Sequence, residues 1–147
     1  MNRTAVDLFP GHPYAEGFVP NTPNVLSEGI RFKVPQGAAL ILPPALRLVA
    51  KLRDTAGAEI TERSRIVLAK SVAGKSPVPF AEYRYGRYRY MTETDQLDAN
   101  KAAAVTQTLE RPVVFDAGEE LVILFDADLV IDPTKSTLLV SAFEDVA

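Results

Sequence analysis

From residue 30 onward apolar and polar residues alternate with a period of two, as in a strand that buries one face. In "IRFKV", Ile30, Phe32 and Val34 share one side and Arg31 and Lys33 the other. "ALRLVAKLR" repeats the pattern, with Leu46, Leu48, Ala50 and Leu52 opposite Arg47, Val49, Lys51 and Arg53. "AALIL", "RIVLAKS", "PVVF", "ELVILF" and "TLLVSAF" read as further strands, separated by turn signals such as "PQG", "DTAG" and "DAGE". One stretch departs from this rhythm. "DQLDANKAAAVTQTLE" spaces Leu97, Ala102, Val105 and Leu109 helically behind Asp95 or Asp98 as N-cap, and predicts the single helix. The expectation is an all-β, mainly antiparallel domain over residues 30–147, a jelly-roll-like sandwich or barrel with at most one short helix.

Residues 1–29 follow a different rule. Pro10, Pro13, Pro20 and Pro23 lack ladder donors and push their predecessors into extended geometry, which argues against a helix. Val6, Leu8, Phe9, Tyr14, Phe18, Val19, Val25 and Leu26 punctuate the segment, which is too apolar for a solvated linker. Ordering some 25 backbones costs roughly 25 to 50 kcal/mol. Burying those eight side chains returns about 12 to 24 kcal/mol. The balance predicts an extended N-terminal arm that needs strand pairing or a neighbouring chain to become ordered, and its apolar content favours docking on a neighbour.

The densest chemistry lies in "AEYRYGRYRYMT", which holds four of the five tyrosines. Strand alternation puts Tyr83 and Tyr85 on one face and Arg84 on the other, and a bulge or turn at Gly86 would bring Tyr88 and Tyr90 onto the tyrosine face, leaving Arg87 and Arg89 with Arg84. Base stacking beside a phosphate-tracking groove needs both residue types on one surface. Segregated faces, with Glu82, Glu93, Asp95 and Asp98 nearby, favour a protein interface, where tyrosine and arginine are enriched.

Composition narrows the chemistry. Net charge is −3, which argues against a general nucleic-acid binder, and it divides into +4 over residues 1–75 (10 Lys/Arg, 6 Asp/Glu) and −7 over residues 76–147 (6 and 13). Such a chain can pair copies head to tail. No cysteine is present, so disulfides, zinc ribbons and thiol nucleophiles are excluded, and one histidine, His12, cannot form a His-x-x-x-His pair. "AGKSP" lacks the first glycine of a phosphate loop, and Pro77 and Pro79 oppose the helix that must follow it. Asp126 and Asp128 can share a hard cation, and solvated strand ends explain them equally well. No run of 18 apolar residues and no signal-peptide core is present, so the expectation is a soluble chain, without membrane or cofactor and without an enzyme's constellation. Few asparagines, glutamines and methionines with eleven prolines lean toward a heat-tolerant source.

"VDLFPGHPYAEGFVPNTP", "EYRYGRYRYMT" and "ERPVVFDAGEELVILFDADLVIDP" together give a chain that resembles a capsid decoration protein, the auxiliary or cement protein of long-tailed bacteriophages infecting thermophilic bacteria. That resemblance implies a structural virion protein on the outer surface of the expanded capsid. It further implies a homotrimer whose arms cross to neighbours and which bridges major capsid proteins. By the same resemblance Leu8, Phe9, Tyr14, Phe18 and Val19 are arm anchors. Tyr83, Arg84, Tyr85, Arg87, Tyr88, Arg89 and Tyr90 are interface candidates. The alternative is a β module that binds sugar or single-stranded nucleic acid.

Overall fold

The computed structural model describes residues 2–60, 63–73, 75–85 and 103–146. Eleven strands occur among them: β1 (Asn2–Leu8), β2 (Ala15–Phe18), β3 (Ser27–Lys33), β4 (Ala38–Leu42), β5 (Ala45–Lys51), β6 (Ser64–Ser71), β7 (Val78–Tyr85), β8 (Ala103–Thr108), β9 (Val113–Phe115), β10 (Glu120–Ala127) and β11 (Thr137–Val146). They form two antiparallel sheets. One runs β2-β3-β10-β6-β7; the other joins β1, β4, β5, β8, β9 and β11.

The second sheet has an arrangement that its register reveals. Val140 pairs with Leu8 of β1 and with Leu48 of β5, while Phe143 pairs with Ala5 of β1 and Ile41 of β4. A strand has only two edges, so β1 occupies one edge of β11, and β5 and β4 follow one another along the other. Pro43-Pro44 is therefore a kink within one long pairing, at a place where proline's missing donor interrupts the ladder. β8 and β9 pair in the same succession with β5 and β4, and the Leu109 N–H donates to the Pro44 carbonyl across the break at 2.8 Å.

One core lies between the sheets. Ile30, Phe32, Ile66, Leu68, Leu121, Ile123 and Phe125 of the first sheet join Leu40, Leu42, Leu46, Leu48, Phe115, Leu138 and Val140 of the second in a single buried cluster. Burying each of these side chains is worth about 1.5–3 kcal/mol. The alternation read from "IRFKV" and "ALRLVAKLR" holds: Ile30, Phe32, Val34, Leu46, Leu48, Ala50 and Leu52 are all buried.

Bulges shape the first sheet. Ile30 pairs with Ile123 and Glu28 with Leu124, so Gly29 is the extra residue between them. A Cβ there would sit 2.2 Å from the buried Phe125 ring, which only glycine tolerates. Gly17 is likewise the extra residue between the Glu16 and Phe18 pairings and takes a φ of 64°.

One expectation is corrected. No helix occurs among the described residues; Ala103–Thr108, the later part of the expected helix, is β8 on the edge of β5. The β-branched Val105, Thr106 and Thr108 suit a strand, and the open edge of β5 supplies the pairing that outweighs a helical spacing. Residues 95–102 of that expectation lie outside the described residues. The N-terminal segment turns back on its own domain in this chain: β1 lies along β11, β2 along β3, and Ser27–Gly29 belongs to β3. Between β2 and β3 the buried Asn21 accepts the Ile131 N–H at 2.5 Å and donates to the Leu129 carbonyl at 3.3 Å. The Asn24 N–H donates to the Ala127 carbonyl at 2.8 Å. Strand pairing within the chain thus supplies what apolar burial alone lacked.

Candidate assembly surfaces

The five expected arm anchors divide by environment. Leu8 points into the core and is 1% exposed, opposite Val140. Tyr14 is half-buried against the core, and its hydroxyl donates to Glu144. Phe9, Phe18 and Val19 remain open to solvent. Phe9 and Tyr14 both meet His12 edge-on, at 6.1 and 4.7 Å between ring centroids. The Tyr14 N–H donates to His12 Nδ1 at 3.0 Å, so that nitrogen carries no proton. Burial of the imidazole holds its pKa below the ordinary histidine value, against the opposing pull of Glu144.

The Tyr/Arg segment also separates its chemistries. Tyr83 is in the core, 4% exposed, beside Ile66 on the neighbouring strand. Its hydroxyl has no hydrogen-bond partner among the described residues, and desolvation raises its pKa. Arg84 faces solvent from the next position, as alternation requires. The mixed aromatic and basic face of a base-stacking platform is therefore not formed by this pair. Tyr85 ends β7. Arg87, Tyr88, Arg89 and Tyr90 lie outside the described residues.

The carboxylates considered for a cation are engaged by arginine. Asp126 meets Arg65 at 3.1 Å and Asp128 meets Arg63 at 3.6 Å. Among the described residues no group of three or more His, Asp or Glu is placed to hold a metal ion. "AGKSP" lies in the connection from β6 to β7, where the Lys75 N–H donates to the Val72 carbonyl at 2.9 Å.

The outer faces of the two sheets differ, and the sequence did not reveal this. On the first sheet Val67, Ala69, Val122 and Leu124 form a second buried cluster facing away from the core. Their cross-strand neighbours include Glu82 beside Val67, Arg31 beside Val122 and Glu28 beside Leu124. Arg31 pairs with Glu28 at 2.7 Å and Glu120 at 2.6 Å, and Arg65 with Asp126 and, at 3.6 Å, Glu82. The hydrogen bond from Arg31 holds the Glu28 carboxyl below its ordinary pKa. Long charged side chains whose stems lie on small apolar residues seal such a face. The cover of the second sheet is sparser: the Arg3–Asp145 pair lies on its outer face, and Phe143 and Val114 there are 37% and 43% exposed.

The family model described as "Major capsid protein VP16-like" matches residues 28–141, from β3 into β11. The chain belongs to the VP16-like major capsid protein family. Its role is accordingly structural, within a virion. Among solved structures, VP17, a capsid protein of bacteriophage P23-77, is similar to this capsid protein with a TM-score of 0.43 and 10% sequence identity, over 97% of this chain and 95% of that one. None of the curated proteins matches the chain.

Proposed function

We propose that this protein is a non-enzymatic structural subunit of a bacteriophage capsid that works by oligomerising and bridging neighbouring capsid proteins. The observation that carries the reading is the family match over residues 28–141, which includes strands of both sheets. A trimer, with one flank on the outer surface of the particle, is the arrangement that the resemblance to decoration proteins favours. Exchange of β1 between copies fits the fold, because among the described residues β1 pairs with β11 alone and is followed by a connection containing Pro10 and Pro13. Several modest contacts on one oligomer then act at high effective concentration.

The family description supports a place in the shell lattice itself, whereas a decoration protein joins a shell already built. Deleting the gene in the phage that encodes the chain separates the two. A shell subunit is required for particles to form; a decoration protein leaves fragile particles. Finding no copy of the chain in purified virions would overturn the capsid role.

A further inference from the structure

The open outer face of the second sheet carries a pattern that fits its own copy. Ala5, Phe143, Ile41 and Val114 form one row across four strands, in direct register from β1 through β11 and β4 to β9. Ala5 is exposed and Ile41 half-buried, so the row is an apolar band, bordered on one level by the Arg3–Asp145 ion pair. The level on its other side is charged as well. Asp7 pairs across from Ser141 on one side of β11, and among the described residues accepts only a 3.3 Å bond from the Ser141 hydroxyl. On the other side, one residue beyond the Val140–Leu48 pair, Arg47 projects outward with no hydrogen-bond or ion-pair partner among the described residues.

We propose that this face is a twofold contact between two copies of the chain. Rotation by half a turn about an axis parallel to β11 keeps each level in place and exchanges its two flanks. Asp7 of each copy then lies over Arg47 of the other and Ala5 over Ile41, each contact made twice, while Phe143 meets its own counterpart on the axis, as an isologous interface requires. The opposite charges at matched positions argue for a second copy of this chain as the occupant. An unpaired arginine beside exposed aromatic and aliphatic side chains is also the composition of an interface core. The inference rests on the reading of the chain as a self-associating capsid subunit and names one of its contacts, which is compatible with exchange of β1 elsewhere.

Sedimentation of the purified full chain over a concentration series tests it, with Asp7→Arg, Arg47→Asp and the double variant. Both side chains project outward from the sheet, so the variants are expected to melt with the parent. The expected result is a twofold association of the parent, weakened about tenfold or more by either single reversal. The double reversal should recover it, since the pair is restored with its signs exchanged. A parent that stays monomeric at high micromolar concentration would overturn the proposal. So would an oligomer indifferent to all three variants, even if the chain is found in virions and the capsid role stands.

Discussion

At the scale of single residues, two positions carry consequences beyond their size. Gly29 is the bulge residue of β3, and the ring of the fully buried Phe125 occupies the place of its missing Cβ. Because the ring is enclosed in the core, it cannot yield without disturbing its neighbours. Gly29→Ala is expected to destabilise the fold by about 1–3 kcal/mol, the usual range for overpacking. A lowered urea midpoint with unchanged slope would show it, and an unchanged midpoint would refute the close approach. His12 gives the second. Its folded pKa lies below the unfolded value because its imidazole is partly buried, and Nδ1 must stay unprotonated to accept the Tyr14 N–H. The unfolded chain therefore binds the proton more readily. The stabilisation is fully present above the ordinary histidine value near 6.5 and is lost as pH falls through the folded value. The ring is partly solvated, so the effect is small, a few degrees in Tm at most for about 1 kcal/mol. His12→Gln should flatten the Tm profile between pH 7 and 5; an equal slope in both proteins would assign it elsewhere.

At the scale of elements, β1 is the strand whose behaviour most affects the proposed role. It covers one edge of β11 and inserts Leu8 into the core, at the point where Val140 is also paired with β5. Leu8→Ala is expected to cost about 2–5 kcal/mol, as other buried leucines do, and thermal melts would read it directly. Removing residues 1–25 takes away β1 and β2, and should leave a folded but less heat-stable domain with weaker association. A truncated protein that melts and associates like the parent would exclude both strands from assembly. The strands of the core were legible from alternation alone, since Ile30, Phe32 and Leu46 to Leu52 follow a period of two. β1 and β2 were not, because their proline and glycine spacing states only that the segment is extended, and extended backbone becomes a strand only when an open edge such as that of β11 accepts it. The same rule explains β8, where helical spacing of Ala102, Val105 and Leu109 gave way to pairing with β5. The row of Ala5, Ile41, Val114 and Phe143 was illegible for another reason. It is assembled from four strands distant in sequence, and each of its residues reads singly as an ordinary surface apolar side chain.

At the scale of the whole molecule, the division of charge along the chain acquires a meaning different from head-to-tail pairing of copies. Basic residues of the first half meet acidic residues of the second within one molecule. Arg3 pairs with Asp145 at 3.0 Å, Arg31 with Glu120, Arg65 with Asp126, and Lys70 with Glu119 at 3.4 Å. This follows from topology, because β1 lies on β11, and β3 and β6 flank β10. Single exposed pairs of this kind contribute little. Their joint signature is a dependence on acid whose sign can be worked out. Glu28 is held below its ordinary value chiefly by the hydrogen bond from Arg31, and Asp145 by the one from Arg3. Asp132 is held down by the Thr134 hydroxyl. For each carboxyl the folded protein binds its proton less readily than the unfolded chain. The stabilisation is therefore complete above the unfolded values, about 4.5 for glutamate and 3.8 for aspartate, and is lost as pH falls through the lower folded values. The expected outcome is a Tm that is level in this respect above pH 5 and declines steeply below pH 4. Replacing Arg31 by methionine keeps an apolar stem over the sealed outer face but releases Glu28, so the Arg31→Met protein should show a shallower decline. If parent and variant lose stability along the same curve, the ion-pair lattice contributes nothing to acid sensitivity, and the outer face of the first sheet is held by its apolar contacts alone.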